Sequence, residues 1–318
     1  MLFNLFFRPQ NRVHAALFSL ILSLGINTAA SEETMAFDAG HPEKVFDTTS
    51  LTKICGGFQF TEGPVWHPDG YLLFTDIPAN RINRWEPGKG CSLYREPSNN
   101  SNGLTFDRMG RLLACEHGTR RVTRTQADGT VVAIAETCEG KRLNSPNDIT
   151  VSSDGTIYFT DPPYGVASGD REIDFQGVYY IKQDGQVRLG YSGMNRPNGL
   201  ALSPDEKILY VSDTEAMEVL AFPVLPEGGL GQPKTLGKLD GSGADGMKVD
   251  TEGNAYVTGP RGIWVWDAHG IWIGLLETPE DPANCAFGGP DSKTLFITAR
   301  TSLYQVRCLY PGIHPSGW

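Results

Sequence analysis

This 318-residue chain contains no apolar run of the roughly twenty residues that a membrane span requires, no block of like charge and no low-complexity tract. It also lacks the sustained 3.6-residue apolar period of amphipathic helices, so helix-rich and disordered architectures are poor readings. Positive charge is scarce: 27 Lys and Arg face 37 Asp and Glu. Such an acidic surface repels phosphate backbones and anionic headgroups, which argues against nucleic acid or a membrane surface as partner. Sulfur is sparse too. Cys55, Cys91, Cys115, Cys138, Cys285 and Cys308 form no C-x-x-C pair and no Cys/His cluster, so a zinc or iron-sulfur site is a poor reading. Cys115 and Cys285 fall in strand-like segments and read as small packed groups, while pairing among the six is left open. A Gly-x-Ser-x-Gly elbow and a phosphate-cradling glycine motif are both missing.

What the chain does have is repetition. Six segments open on an acidic or amide residue, Glu62, Asn102, Asn147, Asn198, Asp245 and Asn284, and reach a turn seven or eight positions later. Successive lead residues stand 40, 45, 51, 47 and 39 positions apart, and most segments are followed by a short run rich in Tyr, Phe, Val and Ile. A period of about 40 to 50 residues made of short strands is the signature of a β-propeller with one blade per repeat. The expected fold is all-β, a six-bladed β-propeller with a metal site in the central tunnel. Glycine and proline sit at the turns this repeat needs, as in Pro68-Asp69-Gly70 and Ser203-Pro204-Asp205.

In a closed ring the six lead residues face one axis. Two carboxylates and four amides there are hard oxygen donors, suited to a divalent cation, with Ca2+ first and Zn2+, Mg2+ or Mn2+ as alternatives. The competing reading is that Asn and Asp before a strand only shape turns. The returning strands end in Asp76, Glu116, Asp161 and Asp213, which should lie one layer outward and orient the lead residues through hydrogen bonds. His117, next to Glu116, belongs near the same mouth as a substrate contact or proton carrier. Arg142 and Arg300 are candidates for gripping an anionic or hydroxyl-rich ligand.

Residues 1–30 read as a secretory signal peptide. Arg8 and Arg12 precede a short apolar run from Ala15 to Ile26, and Thr28-Ala29-Ala30 supplies small residues for cleavage. Removing them leaves 25 basic against 37 acidic side chains and a formal charge of −12. The expected organisation is then an N-terminal extension over 31–44, the propeller over 45–310 and a tail over 311–318, in a secreted or periplasmic protein.

Phe-Thr-Glu62-Gly-Pro-Val-Trp, Asn-Ser-Pro-Asn147-Asp, Arg-Pro-Asn198-Gly-Leu and Ala-Asp245-Gly-Met resemble the signature elements of the senescence marker protein/gluconolactonase family. The stretch Ala114-Cys-Glu-His-Gly-Thr-Arg-Arg-Val-Thr-Arg124 and the segments Phe159-Thr-Asp-Pro-Pro-Tyr-Gly165 and Cys285-Ala-Phe-Gly-Gly are similar to its bacterial gluconolactonase branch. The resemblance implies one tunnel metal held by Glu62, Asn147, Asn198 and Asp245, with Asp245 as general base. It also implies Asn147 as a substrate contact, and Asn102 is expected to bind substrate hydroxyls. Some members place an arginine two residues before the amide matching Asn147; here that residue is Ser145. The expected activity is metal-dependent hydrolysis of a gluconolactone-like sugar lactone, with a Lewis-acid metal and an Asp base. Two alternatives are a phosphoester or organophosphate hydrolase on the same site, and a non-catalytic binding propeller with a structural Ca2+.

Overall fold

The computed structural model describes residues 38–241 and 243–314; the expected signal peptide over 1–30 lies outside the described residues, as does part of the extension that follows it. From Ala39 onward the chain forms one compact unit. Six four-stranded antiparallel sheets form the ring, with one two-stranded sheet of Thr137–Cys138 and Lys141–Arg142 beside them, and the fold is the six-bladed all-β propeller expected from the repeat. The first blade runs Thr61–His67, Tyr71–Asp76, Arg81–Glu86 and Gly90–Arg95, and the second Ser101–Phe106, Leu112–Glu116, Arg121–Thr125 and Val131–Ala135. Ile149–Val151, Ile157–Asp161, Gly177–Ile181 and Val187–Tyr191 form the third, and Pro197–Leu202, Ile208–Asp213, Glu218–Pro223 and Lys234–Lys238 the fourth. The fifth contains Met247–Val249, Ala255–Gly259, Gly262–Trp266 and Trp272–Glu277.

The sixth blade closes the ring. Pro282–Gly288, Thr294–Ala299 and Ser302–Cys308 supply its first three strands, and the N-terminal strand Phe46–Gly56 is its fourth, with Phe46 paired to Cys308 and Gly56 to Ser302. Joining both ends of the chain in one sheet removes the open edge that a linear array of blades would leave. The outermost strands of the sixth and first blades are further tied by a disulfide between Cys55 and Cys91, while Cys115, Cys138, Cys285 and Cys308 are free and buried.

Burial falls from the inner strands to the outermost strand of a blade. The innermost strands of the second and fourth blades are buried at every position, whereas the fourth strand Gly90–Arg95 is buried at none. The apolar core lies between blades. Trp66 of the first blade stacks on Phe296 of the sixth at 5.3 Å, and Phe46 meets Tyr256 edge-on at 5.4 Å. Among the described residues no helix is long and apolar enough to cross a membrane.

The two mouths of the ring differ. Beyond the last strand the chain crosses the ends of the innermost strands, where Thr251 N donates to Pro311 O at 2.9 Å and Ile313 N to Val249 O at 3.1 Å. Ile313 and His314 stand at the centre of this end, beside residues from the innermost strands of all six blades, and leave two cavities of only about 30 Å³ each. The opposite mouth carries the lead residues.

Candidate functional site

Each innermost strand begins, or is entered, at its lead residue, and the neighbouring blades approach closely there. An added Cβ on Gly63 would lie 1.9 Å from the Asn102 carbonyl oxygen, and one on Gly199 2.5 Å from that of Asp245. Glycine after the lead residue is what permits this approach; Gly63 in addition has φ +49. Hydroxyls from the second strands lock the packing. Thr160 Oγ1 donates to Asn198 O at 2.7 Å, Ser212 Oγ to Asp245 O at 2.6 Å and Thr258 Oγ1 to Ala283 O at 2.7 Å.

Asp76, Asp161 and Asp213 repeat one device. Asp76 accepts from Gln59 N and Phe60 N at 3.0 Å each. Asp161 accepts from Asn144 N and Ser145 N at 2.7 Å each, and Asp213 from Asn195 N and Arg196 N at 2.7 and 3.0 Å. In all three blades the carboxylate grips the amides two and three residues before the lead residue, so it fixes the backbone from which that side chain projects. Glu116 reaches the Asn99 side chain at 3.1 Å, Arg121 Nε at 2.9 Å and the Thr119 hydroxyl.

Glu62, Asn102, Asn147, Asn198 and Asn284 are each no more than 3% exposed, whereas Asp245 is partly exposed. Asn198 Nδ2 donates to Tyr164 Oη at 3.3 Å and Thr214 Oγ1 at 3.1 Å, and Asn102 Nδ2 lies 3.4 Å from His117 Nε2. Their Oδ1 atoms are buried with no hydrogen-bond partner. Asn147 is held by its backbone, donating to Thr160 O and accepting from Gly103 N at 2.8 Å each. A pocket of about 280 Å³ lies at Asp245, walled also by Phe60, Thr214 and Arg300. Arg300 Nη2 is 3.5 Å from Asp281 Oδ2. Arg142 is not part of this pocket: it is exposed, and its Nη2 donates to Thr119 O at 3.1 Å on the far side of His117.

The electrostatics are those of crowded acids. Burial, then the charge of Asp148, pushes Glu62 up to about 7 even though Gly63 N donates to its Oε2 at 2.7 Å. Asp245 is also raised, by burial and then by Glu62 and Asp148, with Asn198 and Arg300 acting in the opposite direction. Burial lowers His117 to about 4, leaving a neutral imidazole at neutral pH.

The expected metal centre is corrected here. Among the described residues no group of three or more His, Cys, Asp and Glu side chains is arranged to hold a metal ion. Of Glu62, Asn147, Asn198 and Asp245 only Glu62 and Asp245 are carboxylates, so the expected Ca2+ cofactor, like Zn2+, Mg2+ or Mn2+ in its place, finds no such group there. The physical reason lies in the donors. Only two of the six lead residues carry charge, Glu62 bonds its own neighbour's amide, and the nearby third carboxylate, Asp148, spends its oxygens on Ile149 N at 2.9 Å and Asn284 Nδ2 at 3.3 Å. The tunnel metal in the expected fold, the calcium assignment and the metal-dependent form of the expected hydrolase are withdrawn together.

Asp148, Tyr164 and Thr214 were not singled out by sequence reasoning. A signal for Asp148 exists: Glu62, Asn102, Asn198 and Asp245 are each followed by glycine, but Asn147 is followed by an acid.

Fold and site together define a six-bladed propeller with buried amides and carboxylates at one mouth and a pocket of about 280 Å³ at Asp245. The chain belongs to the SMP-30/Gluconolactonase/LRE-like family, whose model matches residues 60–301. It is similar to the gluconolactonase of Zymomonas mobilis, at 36% identity over 294 residues covering 82% of each chain. A pentonolactonase of Haloferax volcanii is 29% identical over 252 residues, covering 74% of this chain and 80% of that protein. Among solved structures, a gluconolactonase from Xanthomonas campestris matches with a TM-score of 0.76 at 32% identity, covering 81% of this chain and 89% of that one.

Proposed function

We propose that this chain hydrolyses a sugar lactone to the open acid, acting on a gluconolactone-like aldonolactone. It is an enzyme of the gluconolactonase type, a reading supported by the relatives of that name, which cover four fifths of its length. The observation that carries the chemistry is the pocket at Asp245, whose carboxyl is raised by burial and by the nearby charges of Glu62 and Asp148. Of Asp245 and Glu62, Asp245 borders the pocket and is reached by solvent, so it serves as the base. Glu62, raised to about 7, is available as the proton donor. Asp245 takes a proton from the attacking water, and Glu62 supplies one toward the oxygen that leaves the lactone carbonyl. The partnerless Oδ1 atoms of Asn102 and Asn198 accept from sugar hydroxyls and orient the ring.

Export of the protein is proposed on the pattern of residues 1–30, and the Cys55–Cys91 disulfide supports it, since such bonds persist in oxidising compartments. N-terminal sequencing of the periplasmic or secreted protein is the check, with a start near Ser31 expected. The activity is tested by pH-stat assay on a panel of aldonolactones and phosphoesters with spontaneous hydrolysis subtracted. Turnover of lactones and not of phosphoesters is expected; the reverse would overturn the reading.

A further inference from the structure

Between the second and third strands, five blades have short turns, at 77–80, 117–120, 214–217, 260–261 and 300–301. The third blade instead inserts residues 162–176, at the mouth that carries the lead residues. Insertions of that length in a compact domain tend to carry function. This one is pinned by Arg120, whose side chain is 8% exposed. Arg120 Nε donates to Leu143 O and Asn144 O at 2.9 and 2.8 Å, and Nη1 donates to Asp170 O at 2.9 Å. Its Nη2 is buried without a hydrogen-bond partner.

Between the insertion and the second blade lies a cleft of about 600 Å³, bordered by His117, Arg120, Arg142 and Arg171 together with Asp170 and Glu172. Three guanidinium groups thus border one cleft in a chain whose formal charge is −10. Arg142 and Arg120 are near enough to repel, and the backbone amide of Arg142 donates to Glu172 Oε2 at 2.7 Å. His117 forms the partition: its ring borders the cleft while its Nε2 lies 3.4 Å from Nδ2 of the lead residue Asn102.

We propose that this cleft receives an oxyanion group of the substrate, a carboxylate or a phosphate remote from the lactone carbonyl, so that the preferred substrate is an acidic sugar lactone. The proposal rests on the reading of the pocket at Asp245 as the lactone site. A planar guanidinium suits either oxyanion through paired hydrogen bonds, and the His117 partition places the charged end of a sugar acid beyond Asn102.

Two measurements test it. Specificity constants are compared for glucono-1,5-lactone, a glucarolactone and 6-phosphogluconolactone, in the wild type and in the Arg142→Ala/Arg171→Ala double variant. A preference for one of the charged lactones, reduced about tenfold or more in the variant, is expected; equal constants for neutral and charged lactones overturn the proposal. Separately, calorimetry follows binding of glucarate, inorganic phosphate and uncharged sorbitol. Binding of glucarate or phosphate that the double variant loses supports the cleft, and which of the two binds identifies the group. No binding of either overturns it. Failure of every lactone to turn over refutes the lactonase reading, while the calorimetry still decides the cleft.

Discussion

Asp148 of the third blade and Asn284 of the sixth meet across the axis of the ring, Oδ2 accepting from Nδ2 at 3.3 Å. The contact joins opposite blades and holds a negative charge close to both Glu62 and Asp245. Neutralising that charge lets both carboxyls release their protons at lower pH. Asp148→Asn should therefore shift both limbs of the pH–rate profile toward acid, including the alkaline limb set near 7 by Glu62. A profile that stays in place while the variant folds would show that Asp148 does not govern the pair.

Asp245→Asn keeps the volume and an acceptor oxygen but removes the base. Turnover of glucono-1,5-lactone should fall by about 10²–10⁴-fold with the circular dichroism spectrum unchanged. Wild-type turnover in this variant would move the base to another residue.

Asn102→Ala removes an acceptor that has no partner in the protein. Its expected effect is on binding: KM rises by about tenfold and kcat changes little, the signature of a contact made equally in ground and transition states. A fall confined to kcat would instead place Asn102 at the reacting carbonyl.

The repeat, the blade number and the convergence of the lead residues were legible because turn chemistry and spacing recur in the sequence. The metal was misread because residue type does not reveal what each oxygen already binds: Asp148 and Glu62 satisfy backbone amides from within. Likewise, nothing in the sequence separates Arg142 from Arg300; only the placement of the 117–120 turn and the third-blade insertion puts one outside the Asp245 pocket and the other on its wall.

Glu280 predicts an acid-stability limb. Burial raises its carboxyl, but hydrogen bonds from Ser302, Thr301 N, Tyr304 and Thr301 Oγ1 outweigh this and bring it from the usual 4.5 down to about 2. A depressed folded-state value contributes stability above about 4.5 that disappears as pH falls toward 2, with an upper bound of about 3 kcal/mol. Glu280→Gln should accordingly lower Tm at pH 7 and reduce its difference between pH 7 and pH 3, read by thermal denaturation. An unchanged difference would mean the network contributes nothing.

The disulfide closes a loop with a sequence separation of 36 between Cys55 and Cys91 across the seam of the ring. Replacing both by serine should cost about 2–4 kcal/mol, measured by urea denaturation, because the unfolded chain regains that loop's freedom. A variant of wild-type stability would leave the paired strands as the whole of the closure.

Ile313 and His314 stopper the mouth opposite the lead residues. Among the described residues that end offers only cavities of about 30 Å³ each, so what enters by the opposite mouth leaves by it too. Emptying and refilling are then sequential events, and a ligand that lingers delays the next arrival.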